Sequence, residues 1–98
     1  MKERHTSLAH GWVVYVIECK SGAYYTGSTN NLDERFKKHK QGNGAKYMRM
    51  DKPKRIVAAQ ACDSRSAALK LEGAVKALER SDKKKWVKAN SYRLVCKR

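Results

Sequence analysis

The segment Gly11 to Cys19 is β-branched or aromatic at nearly every position. A continuous apolar run of that kind fits a strand buried on both faces better than a helix. Lys20-Ser21-Gly22 supplies turn chemistry and Ala23-Tyr24-Tyr25-Thr26 returns to β-rich composition, so a β-hairpin is predicted, its second strand ending at Gly27. Ser28-Thr29-Asn30-Asn31 then offers a cluster of helix-capping residues. With Asn31 as N-cap, Glu34 stands where a side chain reaches back and Asp33 adds negative charge to the first turn, which predicts a helix over 32–40.

Gln41-Gly42-Asn43-Gly44 stops that helix, and a basic stretch containing Tyr47, Met48 and Met50 leads to the only proline, Pro53. Residues 56–62 read as a third strand. Asp63 or Ser64 caps a second helix over 65–79, in which Ala67, Ala68, Leu71, Ala74, Val75 and Leu78 fall on one apolar arc. Ser81 and Asp82 signal the start of a short third helix carrying Trp86 and Val87. The expected fold is α+β, a small three-stranded sheet flanked by helices in the order ββαβαα. One domain is expected over 11–90, between a loose N-terminal tail (1–10) and a basic C-terminal tail (91–98).

A chain of 98 residues has room for one core. Its 23 Lys and Arg against 9 Asp and Glu leave a formal charge of +14, which opposes compactness and suits attraction to a polyanion. A membrane is the weaker option: no run of 18 apolar residues occurs, and no apolar stretch before Trp12 could serve as a signal segment, so a cytoplasmic location is expected. Cys19, Cys62 and Cys96 show neither zinc-ligand nor disulfide-framework spacing and read as reduced, buried thiols.

Few residues taken singly point to chemistry. A 100° step per residue sets Arg35 and His39 along one edge of the first helix's apolar stripe, one turn apart. The bland alternative has Arg35 laying its stem on the core and His39 capping the helix C-terminus. Tyr15, Tyr24 and Tyr25 are ordinary sheet tyrosines by themselves. Glu72 stands at the edge of the second helix's buried arc, from which its carboxylate can point along the sheet; the alternative is an i to i+4 pair with Lys76.

The joint arrangement is more specific. Val13-Val14-Tyr15, then Tyr25-Thr26-Gly27 ten residues on, then Arg35 and His39 on the next helix and Glu72 on a later one, resembles the GIY-YIG nuclease superfamily over roughly Trp12 to Asn90. The resemblance is greatest to its small stand-alone, single-domain bacterial branch. It implies that Tyr15 and Tyr25 are the tyrosines of the two signature tripeptides, Gly27 the structural glycine of the second, Arg35 and His39 the helix pair, and Glu72 the metal-binding glutamate. Val13 stands in place of the first glycine, Val14 and Thr26 in place of two isoleucines, and Asn90 is the counterpart of a late asparagine.

That chemistry suits phosphodiester hydrolysis, which needs an activated water, neutralised phosphoryl charge and help for the leaving oxygen. A single glutamate suits one Mg²⁺ (or Mn²⁺) ion that keeps most of its waters. Arg35 offers a planar fork to phosphate oxygens. The resemblance implies Tyr15 as the base, with His39 or Tyr25 orienting water or phosphate. A phenol ionised at neutral pH must lose about three pKa units, and dense cationic surroundings are expected to supply that shift.

Nine Lys and Arg lie between Arg35 and Cys62 against one acid, and seven against none between Lys83 and Arg98. Lys37, Lys38, Lys46, Arg49 and Lys84 are expected to track phosphates, and Tyr47 to stack on a base. The expected function is a metal-dependent endonuclease or nickase on structured, damaged or single-stranded nucleic acid, DNA ahead of RNA. Sequence specificity is expected to be low unless a protein partner supplies it. The alternatives are a non-catalytic basic nucleic-acid-binding module on the same fold, and an RNA- or ribosome-associated protein in which Arg35, His39 and Glu72 are structural.

Overall fold

The computed structural model describes residues 11–41 and 51–91. Six elements follow in the order ββαβαα: β1 (Trp12–Cys19), β2 (Tyr24–Thr29), α1 (Leu32–Lys40), β3 (Pro53–Cys62), α2 (Arg65–Lys76) and α3 (Arg80–Ala89). The three strands form one antiparallel sheet in the order β2-β1-β3, so the most apolar strand is the central one. Val13 to Ile17 are at most 2% exposed, which requires cover on both faces.

Strand alternation sorts these side chains into two cores. Val13, Tyr15, Ile17 and Cys19 pack with Leu32 and Phe36 of α1 and with Ile56 and Ala59 of β3. Val14 and Val16 pack with Ala58, with Ala68 and Val75 of α2, and with the half-buried Trp86 and Val87 of α3. The architecture is therefore α1, sheet, then α2 with α3. Each buried Val or Ile contributes about 1.5–3 kcal/mol of transfer free energy, so the β1 run anchors both cores.

The hairpin closes through Gly22, at φ 96°, with Gly22 N–H donating to Cys19 O at 2.8 Å and Cys19 N–H to Ala23 O at 2.8 Å. This turn is clasped to the start of β3: Asp51 Oδ1 accepts from Ser21 N–H at 3.1 Å, and Lys52 O accepts from Lys20 N–H at 2.9 Å. Both expected caps form. Asn31 Oδ1 accepts from Glu34 N–H at 3.2 Å and Ser64 Oγ from Ala67 N–H at 3.1 Å.

Four element boundaries differ from expectation. β2 does not end at Gly27; it runs on to Thr29 because β1 keeps pairing with it, through Val14–Ser28 and Val13–Thr29. β3 starts three residues earlier than expected, at Pro53, a position open to proline because it is the first residue of an edge strand. α2 stops at Lys76, where Ala77 N–H closes on Gly73 O and Leu78 N–H on Val75 O, both at 3.1 Å. Ala74, expected in the apolar arc, is exposed.

α3 begins at Arg80, with Glu79 as an extended N-cap that makes no side-chain bond. Its start is tied down instead by Arg80, whose guanidinium lies 5.7 Å from the Tyr24 ring centroid and donates to Gly22 O at 3.4 Å. Cys19 is buried, which pushes its thiol up to about 11 and leaves it unreactive, and Cys62 is half-buried. The expected tail 1–10, residues 92–98 of the expected basic tail, and Cys96 lie outside the described residues.

Asn31→Ala removes the α1 cap that hands the chain from β2 into the helix. It should lower unfolding stability by about 1 kcal/mol, read as a reduced urea midpoint with an unchanged slope.

Candidate active site

Tyr15 is paired with Gly27 across the β1–β2 ladder, and its ring leans over that glycine. A Cβ at position 27 would lie 2.5 Å from Tyr15 Oη and 2.8 Å from Cζ, so the phenol occupies the space a side chain would need. The requirement for glycine here is one of close approach. Tyr15 Oη is 3.1 Å from His39 Nε2, a buried hydrogen bond between β1 and α1.

Helical periodicity turns Leu32, Phe36 and His39 of α1 toward the sheet and leaves Arg35 exposed at the rim. His39 is 1% exposed and sits between two tyrosines: the Tyr25 ring meets it edge-on at 5.4 Å and the Tyr15 ring is tilted at 6.1 Å. His39 does not cap the C-terminus of α1, and its Nδ1 has no hydrogen-bond partner among the described residues.

Burial sets the protonation of this pair. It raises the Tyr15 phenol well above its ordinary value, aided by Tyr25 and Glu72 and opposed by the Arg35 guanidinium. The cationic surroundings expected to depress Tyr15 are thus outweighed by desolvation. Burial also lowers His39 to about 4, with Arg35 adding to the effect. At neutral pH the two form a neutral phenol–imidazole hydrogen bond.

Glu72 reaches the same strand from the other side of the sheet. Its Oε1 accepts from Ser28 Oγ at 2.6 Å and its Oε2 pairs with Lys76 Nζ at 2.9 Å. Burial pushes the carboxyl up, but the Ser28 hydroxyl and the Lys76 ammonium together outweigh it and hold Glu72 below its ordinary value. Because side chains alternate, Gly27 carries Tyr15 on one face of β2 while Ser28 carries Glu72 on the other. The site wraps around one edge strand, and the charges of Arg35 and Glu72 both act on the Tyr15 phenol.

Among the described residues no group of three or more His, Cys, Asp or Glu comes together. A lone hard carboxylate of this kind would suit Mg²⁺ or Mn²⁺, and the Lys76 ammonium already stands on Oε2 as a cation.

The other expected residues divide. Arg35 and Lys38 line an open groove with Thr29, Asn30, Asn31 and Glu34 at the junction of β2 and α1, and Lys37 is exposed nearby on the same helix. Lys84 is exposed on α3, whose Trp86 and Val87 pack on the opposite face of the sheet, so it shares no surface with Lys37 and Lys38. Lys46, Tyr47 and Arg49 lie outside the described residues. Asn90 does not join Glu72: it sits beside β3, where its backbone carbonyl accepts from Ala59 N–H at 3.1 Å, and its side chain donates to Trp86 O at 3.0 Å as an α3 cap. Ser28 is the contributor that sequence reasoning missed.

Residues 11–86 match the family model of the GIY-YIG catalytic domain, and the chain belongs to that family of nuclease domains. It is 47% identical over 74 residues to UPF0213 protein BH0048 of Halalkalibacterium halodurans, covering 76% of this chain and 79% of the relative. UPF0213 protein VC_A0739 of Vibrio cholerae is 40% identical over 82 residues, covering 83% and 81%. The solution NMR structure of the BH0048 protein from Bacillus halodurans aligns with a TM-score of 0.54 at 44% identity, covering 82% of this chain and 85% of that one. No described helix is long and apolar enough to cross a membrane.

A histidine lowered from 6.5 to about 4 binds fewer protons in the folded than in the unfolded state between those values. Its contribution is therefore complete above about pH 6.5 and is lost as pH falls, at up to about 1.4 kcal/mol per pH unit. Urea midpoints measured from pH 7 to pH 4.5 should fall more steeply for the wild type than for His39→Gln. Parallel profiles would show that His39 titrates alike in the folded and unfolded states, contrary to its burial.

Proposed function

We propose that this protein is a divalent-metal-dependent endonuclease or nickase acting on structured, damaged or single-stranded nucleic acid, DNA ahead of RNA, with little sequence specificity. The observation carrying this reading is the arrangement around β2: a buried phenol bonded to a neutral imidazole on one face, an anionic carboxylate on the other, and an exposed guanidinium at the rim.

Each residue has a role that its surroundings support. Arg35, exposed beside Lys38 on the groove at the head of α1, binds the non-bridging oxygens of the scissile phosphate. Tyr15 begins as a phenol and His39 as a neutral imidazole, so the phenol can release its proton to Nε2 while accepting one from the attacking water. Fixing the imidazole between Tyr15 and Tyr25 holds Nε2 on the phenol. Tyr25 shields that proton transfer from solvent, and Glu72 would hold the metal. A bound Mg²⁺ or Mn²⁺ would supply Lewis-acid stabilisation of charge on the phosphate and leaving oxygen.

A second reading, a non-catalytic nucleic-acid-binding module, is favoured by one observation: both Glu72 oxygens already have protein partners, as in a structural carboxylate.

The two readings part in a nicking assay on supercoiled, branched and single-stranded DNA with Mg²⁺ or Mn²⁺. Glu72→Ala and Tyr15→Phe should each reduce scission about 100-fold or more while circular dichroism shows the fold retained. Scission unchanged by both variants, or absent from the wild type under every metal, would overturn the enzyme reading. Binding of single-stranded DNA, measured by fluorescence anisotropy, should weaken linearly in log–log form with salt, and Lys38→Ala should reduce the slope by about 0.7.

A further inference from the structure

Glu72 is a half-buried carboxylate whose two oxygens differ. Oε1 is fixed from the sheet by the Ser28 hydroxyl, at 2.6 Å. Oε2 is met by Lys76 Nζ at 2.9 Å, from a side chain 55% exposed against 18% for Glu72. A cation arriving from solvent must approach through Oε2, which is the oxygen the ammonium covers. The pair is one helical turn apart in the favourable Glu-before-Lys order, so it forms without distortion of α2.

We infer that Lys76 is a resident counter-ion of Glu72, which a divalent cation must displace before the carboxylate can bind it. This inference rests on the proposed reading of Glu72 as the metal carboxylate. An ammonium and a divalent ion sharing one oxygen would stand a few ångströms apart and repel each other, so only one occupies Oε2 at a time. Lys76 can leave: its stem is exposed, and Ser28 keeps Glu72 in place when it does. The free protein, at a net charge of +14, already disfavours divalent cations, and the ammonium lowers the site's affinity further. Phosphates of a bound strand reverse both effects, since they add negative charge and give the released ammonium a new counter-charge.

The test is a Mn²⁺ titration of the full chain without nucleic acid, following the electron paramagnetic resonance signal of free Mn²⁺. Lys76→Met should bind Mn²⁺ about three- to fivefold more tightly than the wild type, the strength expected of one exposed ion pair. Lys76→Arg keeps a competing cation and should stay near the wild type. Lys70→Met removes the same charge from an exposed position on the same helix and should also leave affinity near the wild type. Equal shifts for Lys76→Met and Lys70→Met, or no shift for Lys76→Met, while Glu72→Ala abolishes binding, would overturn the counter-ion and leave the metal carboxylate standing. Binding unaffected by Glu72→Ala would remove the metal reading itself, and the inference with it.

Discussion

The Tyr15 phenol lies against the backbone of Gly27, closer than any Cβ at that position would allow. That single approach lets a bulky aromatic from the central strand extend over the edge strand and reach His39 on α1. A side chain at position 27 would push the ring off its hydrogen bond and cost the buried imidazole the partner of its Nε2, when Nδ1 has none among the described residues. Glycine is thus placed by packing, and the packing places the proton-transfer pair.

The two halves of the site differ in electrostatic character because they differ in burial. On the α1 face, desolvation keeps Tyr15 and His39 neutral. On the α2 face, the exposed Lys76 and the Ser28 hydroxyl keep Glu72 anionic despite partial burial. The thickness of one strand separates these regimes. The neutral pair is a hydrogen-bonded donor and acceptor, while the charged pair binds cation or anion, and the field of Glu72 reaches the Tyr15 phenol across β2.

Much of the fold was legible because it rests on local chemistry. The continuous apolar run of β1, the Asn31 and Ser64 caps and the periodicity of α1 fix elements without reference to distant residues. Strand ends were less legible: a glycine reads as a stop, yet β2 passes through Gly27 because β1 supplies a ladder for two more residues. The candidate site followed the same division. Arg35 and His39 could be placed on one helix edge, but which of them is buried depends on the sheet beneath. The Ser28–Glu72 bond spans 44 residues and the Tyr15–His39 bond 24, separations at which periodicity carries no signal. Lys84 was grouped with Lys37 and Lys38 by charge alone, and the layering of helices puts it on the other face of the sheet from them, while Asn90 is taken up by β3 and by the end of α3.

The division of the site between two layers also orders its assembly in time. Tyr15, Tyr25, Arg35 and His39 all fall within the first two strands and first helix, whereas Glu72 arrives only with α2, after β3 has closed on the far side of β1. Synthesis from the N-terminus therefore delivers both partners of the phenol–imidazole bond before the carboxylate. A strongly basic nascent polypeptide, tethered to an RNA machine, thus lacks the carboxylate of its site until α2 has been translated.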